Sequence, residues 1–317
     1  MSTAYVLVEQ NNGRLDPVTV ELITAARALG EVTAVVVGEP GTGQSVAAEL
    51  GAAGAAVVVA AEAAGVSGRL VIPEVDALHI LAAHNPGPII LSANLGGNEI
   101  AGRLAARLAS GVLCDVVGIN ADRTANLSIF GDTIQVSAAV GGASPIYTLR
   151  AGAVAGEPVA AAGTLQTLAL PEATVKDVTV VSSTPVVRGD RPDLPQAKVV
   201  IAGGRGIGSA DNFQTVLEPL ADALDGAVGA TRDAVDLGYY PGEYQIGQTG
   251  VTVSPDVYIG FGVSGAIQHT SGMQTAKKVI IVNNDEDAPI FEIADLGVVG
   301  DLFEIAPALL EEINKRK

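Results

Sequence analysis

The sequence holds no tryptophan, one cysteine and two methionines, with only six tyrosines and five phenylalanines in 317 residues. So few rings leave the core to Val, Ile, Leu and a great deal of Ala, a set suited to helices packed closely on a parallel sheet. Cys114 alone excludes an internal disulfide, an iron–sulfur cluster and a cysteine-rich zinc site. Its setting, VLCDVV, predicts a small buried hydrophobe. Positive charge is scarce as well: 18 Lys and Arg face 35 Asp and Glu, a net charge of −17. Acidic residues outnumber basic ones in both halves, so nucleic acid and anionic membrane are poor partners. The longest strongly apolar run, Gly51 to Ala61, stops at Glu62 and is too short to cross a bilayer. Met1 is followed almost at once by the strand-like AYVLVE, without a charged leader or cleavage pattern, so a cytoplasmic protein without membrane insertion is expected.

What is present favours a large core: 48% of residues are apolar and the mean hydropathy is +0.39, which rules out disorder as the general state. Short β-branched runs (Ala4–Val8, Val32–Val37, Ala56–Val59, Pro88–Leu91, Val112–Gly118) alternate with stretches of helical spacing (Val18–Leu29, Ser45–Leu50, Glu74–His84, Glu99–Ala109). That rhythm predicts βαβ units and a parallel sheet. From Thr124 to Thr148 it changes to NLSIFG, TIQVSAAV and IYTLR, read as antiparallel strands added to the sheet edge. Val180–Gln196 carries three prolines and no helical pattern. The fold class is therefore α/β in two parallel-sheet domains, 1–195 (linker 182–195 included) and 196–317.

Chemistry concentrates in the second domain. KVVIAGGRGIGSADNF (198–213) runs an apolar strand into Gly203, Gly204, Gly206 and Gly208, then Ser209 as a helix cap. Backbone N–H groups in such a turn receive phosphate, although the glycines alone also suit a tight βα turn. The strict dinucleotide fingerprint fails, because Ser209 stands where the third glycine belongs and the next strand, Ala227–Ala230, ends in Thr231–Arg232 rather than an acid. Between Lys198 and Lys277 the only basic side chains are Arg205 and Arg232, each at the C-terminal end of a predicted strand, where open α/β sheets bind ligands. Ser264 and Gly265 are expected to open another helix at the same edge, with His269 close by, whereas His79 and His84 suit an ordinary amphipathic helix. No GxSxG, HExxH, P-loop lysine or CxxC occurs. The residues themselves point to a phosphorylated, dinucleotide-like cofactor with no nucleophile or acid–base pair beside it.

GGRG (203–206), ATRDAVD (230–236), GYYPGEYQIGQTG (238–250), GVSGAIQH (262–269), SGMQTAKKVIIVNND (271–285) and APIFEIADLGVVGDLF (288–303) closely resemble the alpha subunit of electron transfer flavoprotein, in order and spacing. The first domain resembles it only in length and rhythm. The resemblance implies a Rossmann-like FAD-binding second domain and a heterodimer with a beta subunit that often carries AMP. It implies an electron carrier rather than a stand-alone catalyst, taking electrons from acyl-CoA and other flavin dehydrogenases. These pass one at a time, through a stabilised flavin semiquinone, to a membrane quinone oxidoreductase. Arg205, Thr231, Gly247, Gln248, Thr249, Ser264, Gly265, Ala266, Ile267, Gln268, His269, Asn283, Asp301 and Leu302 match the family's flavin-contacting positions. By the same resemblance Arg232 stands near the isoalloxazine ring, Thr249 near N5 and His269 near O2. Ser264, Gln268 and Asn283 belong by the ribityl–diphosphate chain and Asp301 at the adenine end. Thr231 is often Ser in the family, and Asn284 often Lys. A cation, a histidine and a helix start would favour negative charge on a reduced flavin.

Two other classes stay open on the residues alone. One is a nicotinamide-dependent oxidoreductase or transhydrogenase-like domain, against which the missing acid and displaced glycine argue. The other is a non-redox adenine nucleotide module, with Gly96–Gly97–Asn98 as its phosphate turn, a turn more simply read as structural.

Overall fold

The computed structural model describes residues 2–11, 13–129, 134–175, 177–182 and 191–317, and the chain divides into two compact units, Met1–Pro185 and Val186–Lys317. Residues 183–190 of the predicted linker and 130–133 of the predicted edge strands lie outside the described residues. Among the described residues no helix is long and apolar enough to cross a membrane.

The first unit runs β1 (Thr3–Leu7), β2 (Gln10–Asn11), β3 (Arg14–Leu15), α1 (Val18–Ala26), β4 (Glu31–Gly38), α2 (Thr42–Ala53), β5 (Val57–Glu62), α3 (Ile72–His84), β6 (Ile89–Ser92), α4 (Leu95–Leu108), β7 (Val112–Ile119), β8 (Ala125–Ile129), β9 (Ile134–Ala138), β10 (Ile146–Leu149) and β11 (Thr164–Ala169). Apart from the small β2–β3 ladder, the strands form one sheet in the order β11-β5-β4-β1-β6-β10-β7-β8-β9. The two-residue period of a strand sorts its side chains. Ala4 and Val6 of β1 join Leu22 of α1 and Leu50 of α2 on one face. Tyr5 and Leu7 join Leu78 of α3 and Leu104 of α4 on the other. Both faces are covered, which is why β1 reads as a continuous apolar run.

Three local expectations change. The β8–β9 pair is antiparallel, as read, but IYTL is not an edge strand: β10 lies between β6 and β7 and is parallel to both. All four of its residues are buried, with Ile146 and Tyr147 on opposite faces, and that two-sided burial selects an interior position. Local alternation cannot specify a partner so far away in sequence. The TLQTLA segment, assigned no strand from sequence, forms β11 and pairs parallel to β5. Cys114 is exposed rather than buried. The β7–β10 register slips between Tyr147 and Leu149, and Asp115 takes a φ of +57°, so the irregularity turns this stretch out of the core.

In the second unit β12 (Val199–Gly203), β13 (Ala227–Ala230), β14 (Val257–Phe261), β15 (Val279–Asn283) and β16 (Leu296–Val299) form a wholly parallel sheet in the order β13-β12-β14-β15-β16. Its helices are α5 (Ala210–Asn212), which continues through a π-helical segment, Phe213–Leu217, into α6 (Glu218–Ala223), then α7 (Arg232–Asp236), α8 (Ile267–Thr270) and α9 (Leu302–Arg316). Again the faces alternate. Val200, Ala202 and Tyr258 pack with Ile246, Val253 and Met273, while Ile201 and Phe261 pack with Phe213, Leu220 and Leu302. Arg191 bonds Asp222 and Glu218, fastening the first residues of this unit to α6. The edge strand β16 leaves Leu296 and Val299 exposed.

Thr148 ties the inserted strand to its neighbours. Its buried hydroxyl donates to Asn98 Oδ1 of α4 at 2.8 Å and accepts the Asp115 N–H of β7 at 2.9 Å. Thr148→Val keeps the shape and strands both partners, so it is expected to cost about 1–3 kcal/mol, read as a lower urea midpoint.

Candidate functional site

In the second unit the connection from β12 goes first to β13 on one side, and the chain then returns to place β14 on the other. That reversal makes a crevice at the carboxyl ends of β12 and β14, the usual ligand position of an open parallel sheet. A cleft of about 650 Å³ opens there.

Gly204 and Gly206 build its floor. Their N–H groups donate to the carbonyls of Phe261 and Gly262 at 2.9 and 3.3 Å. A Cβ on Gly204 would sit 2.1 Å from the Gly262 oxygen, and Gly262 itself has a φ of +60°. These glycines are therefore required by backbone meeting backbone. Ser209 lies outside the cleft lining and caps α5, accepting the Asn212 N–H at 3.2 Å. The position of the missing third glycine thus serves the helix.

Arg205 and Thr231–Arg232 stand at the ends of β12 and β13 and line the cleft. Thr231 caps α7 through its hydroxyl. Arg205 lies 4.0 Å from Asp233, and Arg232 3.4 Å from Asp236, with the two arginine side chains 74% and 65% exposed. Pairs this open hold their charges weakly, so both guanidiniums are available to an anion. Gly247, Gln248 and Thr249 reach the cleft on a loop clamped to α8, where the Gln248 N–H donates to the Gln268 carbonyl at 2.7 Å. Thr249 Oγ1 accepts from Gln245 Nε2 at 3.0 Å.

Beyond β14, Ser264, Gly265 and Ala266 line the cleft. Gly265 has a φ of +94° and packs on Ile290, so the turn bends sharply before α8. Among the described residues the N–H groups of these three positions donate to no protein acceptor. The helix expected at Ser264 begins at Ile267 and lasts one turn. Gln268 and His269 line the cleft, whereas Ile267 points its exposed side chain elsewhere. Asn283, Asp301 and Leu302 complete the far wall, and two of them already have partners. Asn283 donates to the Val263 carbonyl at 2.8 Å and accepts the Asp285 N–H, while Asp301 caps α9 through the Phe303 N–H. His269 is buried, and burial pushes its imidazole down to about 4 against the opposing bond from Ile246. Sequence reasoning missed Gln245, which steadies Thr249, Phe303 in the lining, and Tyr258 behind His269. A lone phenol in the apolar run VYIGF was the available signal.

The comparable crevice of the first unit is bridged. Asn94, beyond β6, donates to Glu9, beyond β1, at 3.1 Å, and accepts the Gly97 N–H as the cap of α4. A Cβ on Gly97 would lie 2.0 Å from the Ser92 oxygen, so this turn has a structural reason for its glycine.

Residues 4–177 match the family model described as the electron transfer flavoprotein domain, and residues 193–274 match the electron transfer flavoprotein FAD-binding domain. The chain belongs to the electron transfer flavoprotein alpha-subunit family. It is 51% identical to electron transfer flavoprotein subunit alpha of Mycobacterium leprae and 53% identical to that of Mycobacterium tuberculosis, each over 100% of both chains. The mitochondrial alpha subunit of Arabidopsis thaliana is 36% identical over 99% of this chain and 90% of its own. As a member of this family the chain is a flavin-binding electron-transfer protein. The residues present suit FAD: three successive unpaired N–H groups and two lightly held arginines answer a diphosphate and an electron-rich ring. The FAD-binding match ends before Asn283, Asp301 and Leu302, which share the cleft all the same.

The histidine gives a pH prediction for the flavin-free chain. An imidazole of about 4 when folded and 6.5 when free takes up its proton only on unfolding, so stability is full above about pH 6.5 and falls as the pH drops towards 4. His269→Gln is expected to remove up to about 2 kcal/mol of that decline, measured as the wild-type-minus-variant difference in urea unfolding at about pH 7 and about pH 5.

Proposed function

We propose that this chain is the FAD-carrying subunit of a heterodimeric electron transfer flavoprotein, with one FAD in the second-unit cleft and AMP held by the beta subunit. Its donors are acyl-CoA and related flavin dehydrogenases, and its acceptor is a membrane quinone oxidoreductase. The observation that carries the reading is the run of unpaired N–H groups at Ser264–Ala266 opposite Arg205 and Arg232, at the strand ends of the unit that matches the FAD-binding family. FAD, when bound, supplies a redox group that accepts and releases electrons singly.

The protein groups then have separable tasks. The N–H groups of residues 264–266 receive the diphosphate, and the Ser264 and Gln268 side chains flank it. Arg232 stabilises negative charge on the reduced ring through a charge-assisted bond. Thr249, steadied by Gln245, presents its hydroxyl to the ring's reactive nitrogen. Asn283 and Asp301 act first on the protein, fixing the turn after β14 and the start of α9, so that the far wall of the cleft keeps its shape. No nucleophile or proton-transfer pair is needed for a carrier of electrons.

Co-expression with a beta subunit is expected to yield a yellow complex absorbing in the blue, and a colourless complex that rejects FAD but binds NAD(P)H would remove the reading. Arg232→Ala is expected to retain FAD and an unchanged melting temperature while lowering the flavin's reduction potential by about 59 mV per electron, a tenfold effect, in a potentiometric titration. An unaltered potential would take Arg232 out of this role.

A further inference from the structure

Tyr258 is the second residue of β14, a strand otherwise of Val, Ile, Gly and Phe, and none of its surface reaches solvent. A hydroxyl sealed in an apolar core has to find a partner. Here the partner is His269 Nε2, at 2.7 Å, with the two rings tilted at 56° and their centroids 6.1 Å apart. The other ring nitrogen, Nδ1, lies 3.1 Å from the Ile246 carbonyl oxygen. A carbonyl oxygen only accepts, so Nδ1 carries the ring hydrogen, and the Nε2 lone pair accepts from the phenol.

We propose that Tyr258 is a positioning residue of the cleft: its hydroxyl locks His269 as the neutral, Nδ1-protonated imidazole and leaves Arg205 and Arg232 as the cations of the cleft lining. The proposal rests on the flavin reading for what the cleft holds, and on the Tyr258–His269–Ile246 chain for the tautomer. An imidazolium would present a hydrogen from Nε2 to the phenol oxygen, and the phenol's own hydrogen would then need a new acceptor. Ile246, Val253 and Met273 belong to the same apolar core as Tyr258, and none offers a side-chain acceptor of comparable strength. Burial, the largest influence, lowers the proton affinity of the ring, and the Ile246 carbonyl opposes it. The cationic form is therefore disfavoured from two directions, by solvation and by hydrogen-bond count. The charge beside the ligand then stays constant across neutral pH, and His269 holds no mobile proton for it.

The chain has only three histidines, so ¹⁵N-histidine NMR on the full-length protein resolves the question, with His269→Gln assigning the signal. The expected spectrum shows His269 as the Nδ1–H tautomer, unchanged between about pH 8 and pH 5. In Tyr258→Phe the Nε2 resonance is expected to shift downfield, as its lone pair loses a donor, and the apparent pKa to rise. An Nε2–H tautomer, a wild-type titration in that range, or an Nε2 resonance unmoved in Tyr258→Phe would each overturn the proposal. Should the variant fail to fold, the wild-type tautomer decides alone. FAD uptake is read separately from blue absorption: a chain that rejects FAD but keeps the Nδ1–H signature removes the flavin reading and leaves the tautomer lock, and the reverse result removes only the lock.

Discussion

Everything in the candidate site depends on one close approach, that of the backbone after β12 to the backbone after β14. Gly204 and Gly206 lie against Gly262 with no room for a side chain on either side. That contact places the Arg205 turn and the 262–266 turn at one crevice. It also spends the N–H groups of Gly204 and Gly206 on the backbone at and after the end of β14, while three successive free donors come from the later turn, at Ser264–Ala266. A glycine-rich turn of this kind is often taken to hold phosphate by itself. Here it acts as a spacer that lets a second turn do so.

Much of the architecture was legible in the sequence because its causes are local. Short β-branched apolar runs, buried on both faces, marked most parallel strands, and Ser209, Thr231 and Asp301 cap helices as their chemistry suggests. What stayed hidden was partner choice. The IYTL strand carries the same residues whether it lies at an edge or between β6 and β7, and only the distant pairing decides. Cys114 looked like core for the same reason: its exposure follows from a register slip against β10, which no window of neighbouring residues contains.

The site divides along the same line. Fourteen of the fifteen residues marked from sequence line the cleft, with Ile267 the exception. Their residue types and spacing were visible, but not their prior commitments. Asn283, expected by the ribityl–diphosphate chain, also holds a turn; Asp301, expected at the adenine end, also caps a helix. His269 reads as a source of positive charge, yet its burial beside Tyr258 keeps it neutral. Hydrogen-bond partners are set by tertiary contact, and a sequence shows only which groups are looking for one.

The exposed edge strand β16 carries a consequence of a different kind. Among the described residues no strand pairs with its outer row of backbone donors and acceptors, and Leu296 and Val299 stand exposed along it. An edge of that sort is a template for strand addition, and nothing basic interrupts it between Leu296 and Val299. Self-association by edge pairing grows with concentration, so the isolated chain has a colloidal weakness that its acidic surface offsets through repulsion. Added salt screens that repulsion without touching the edge.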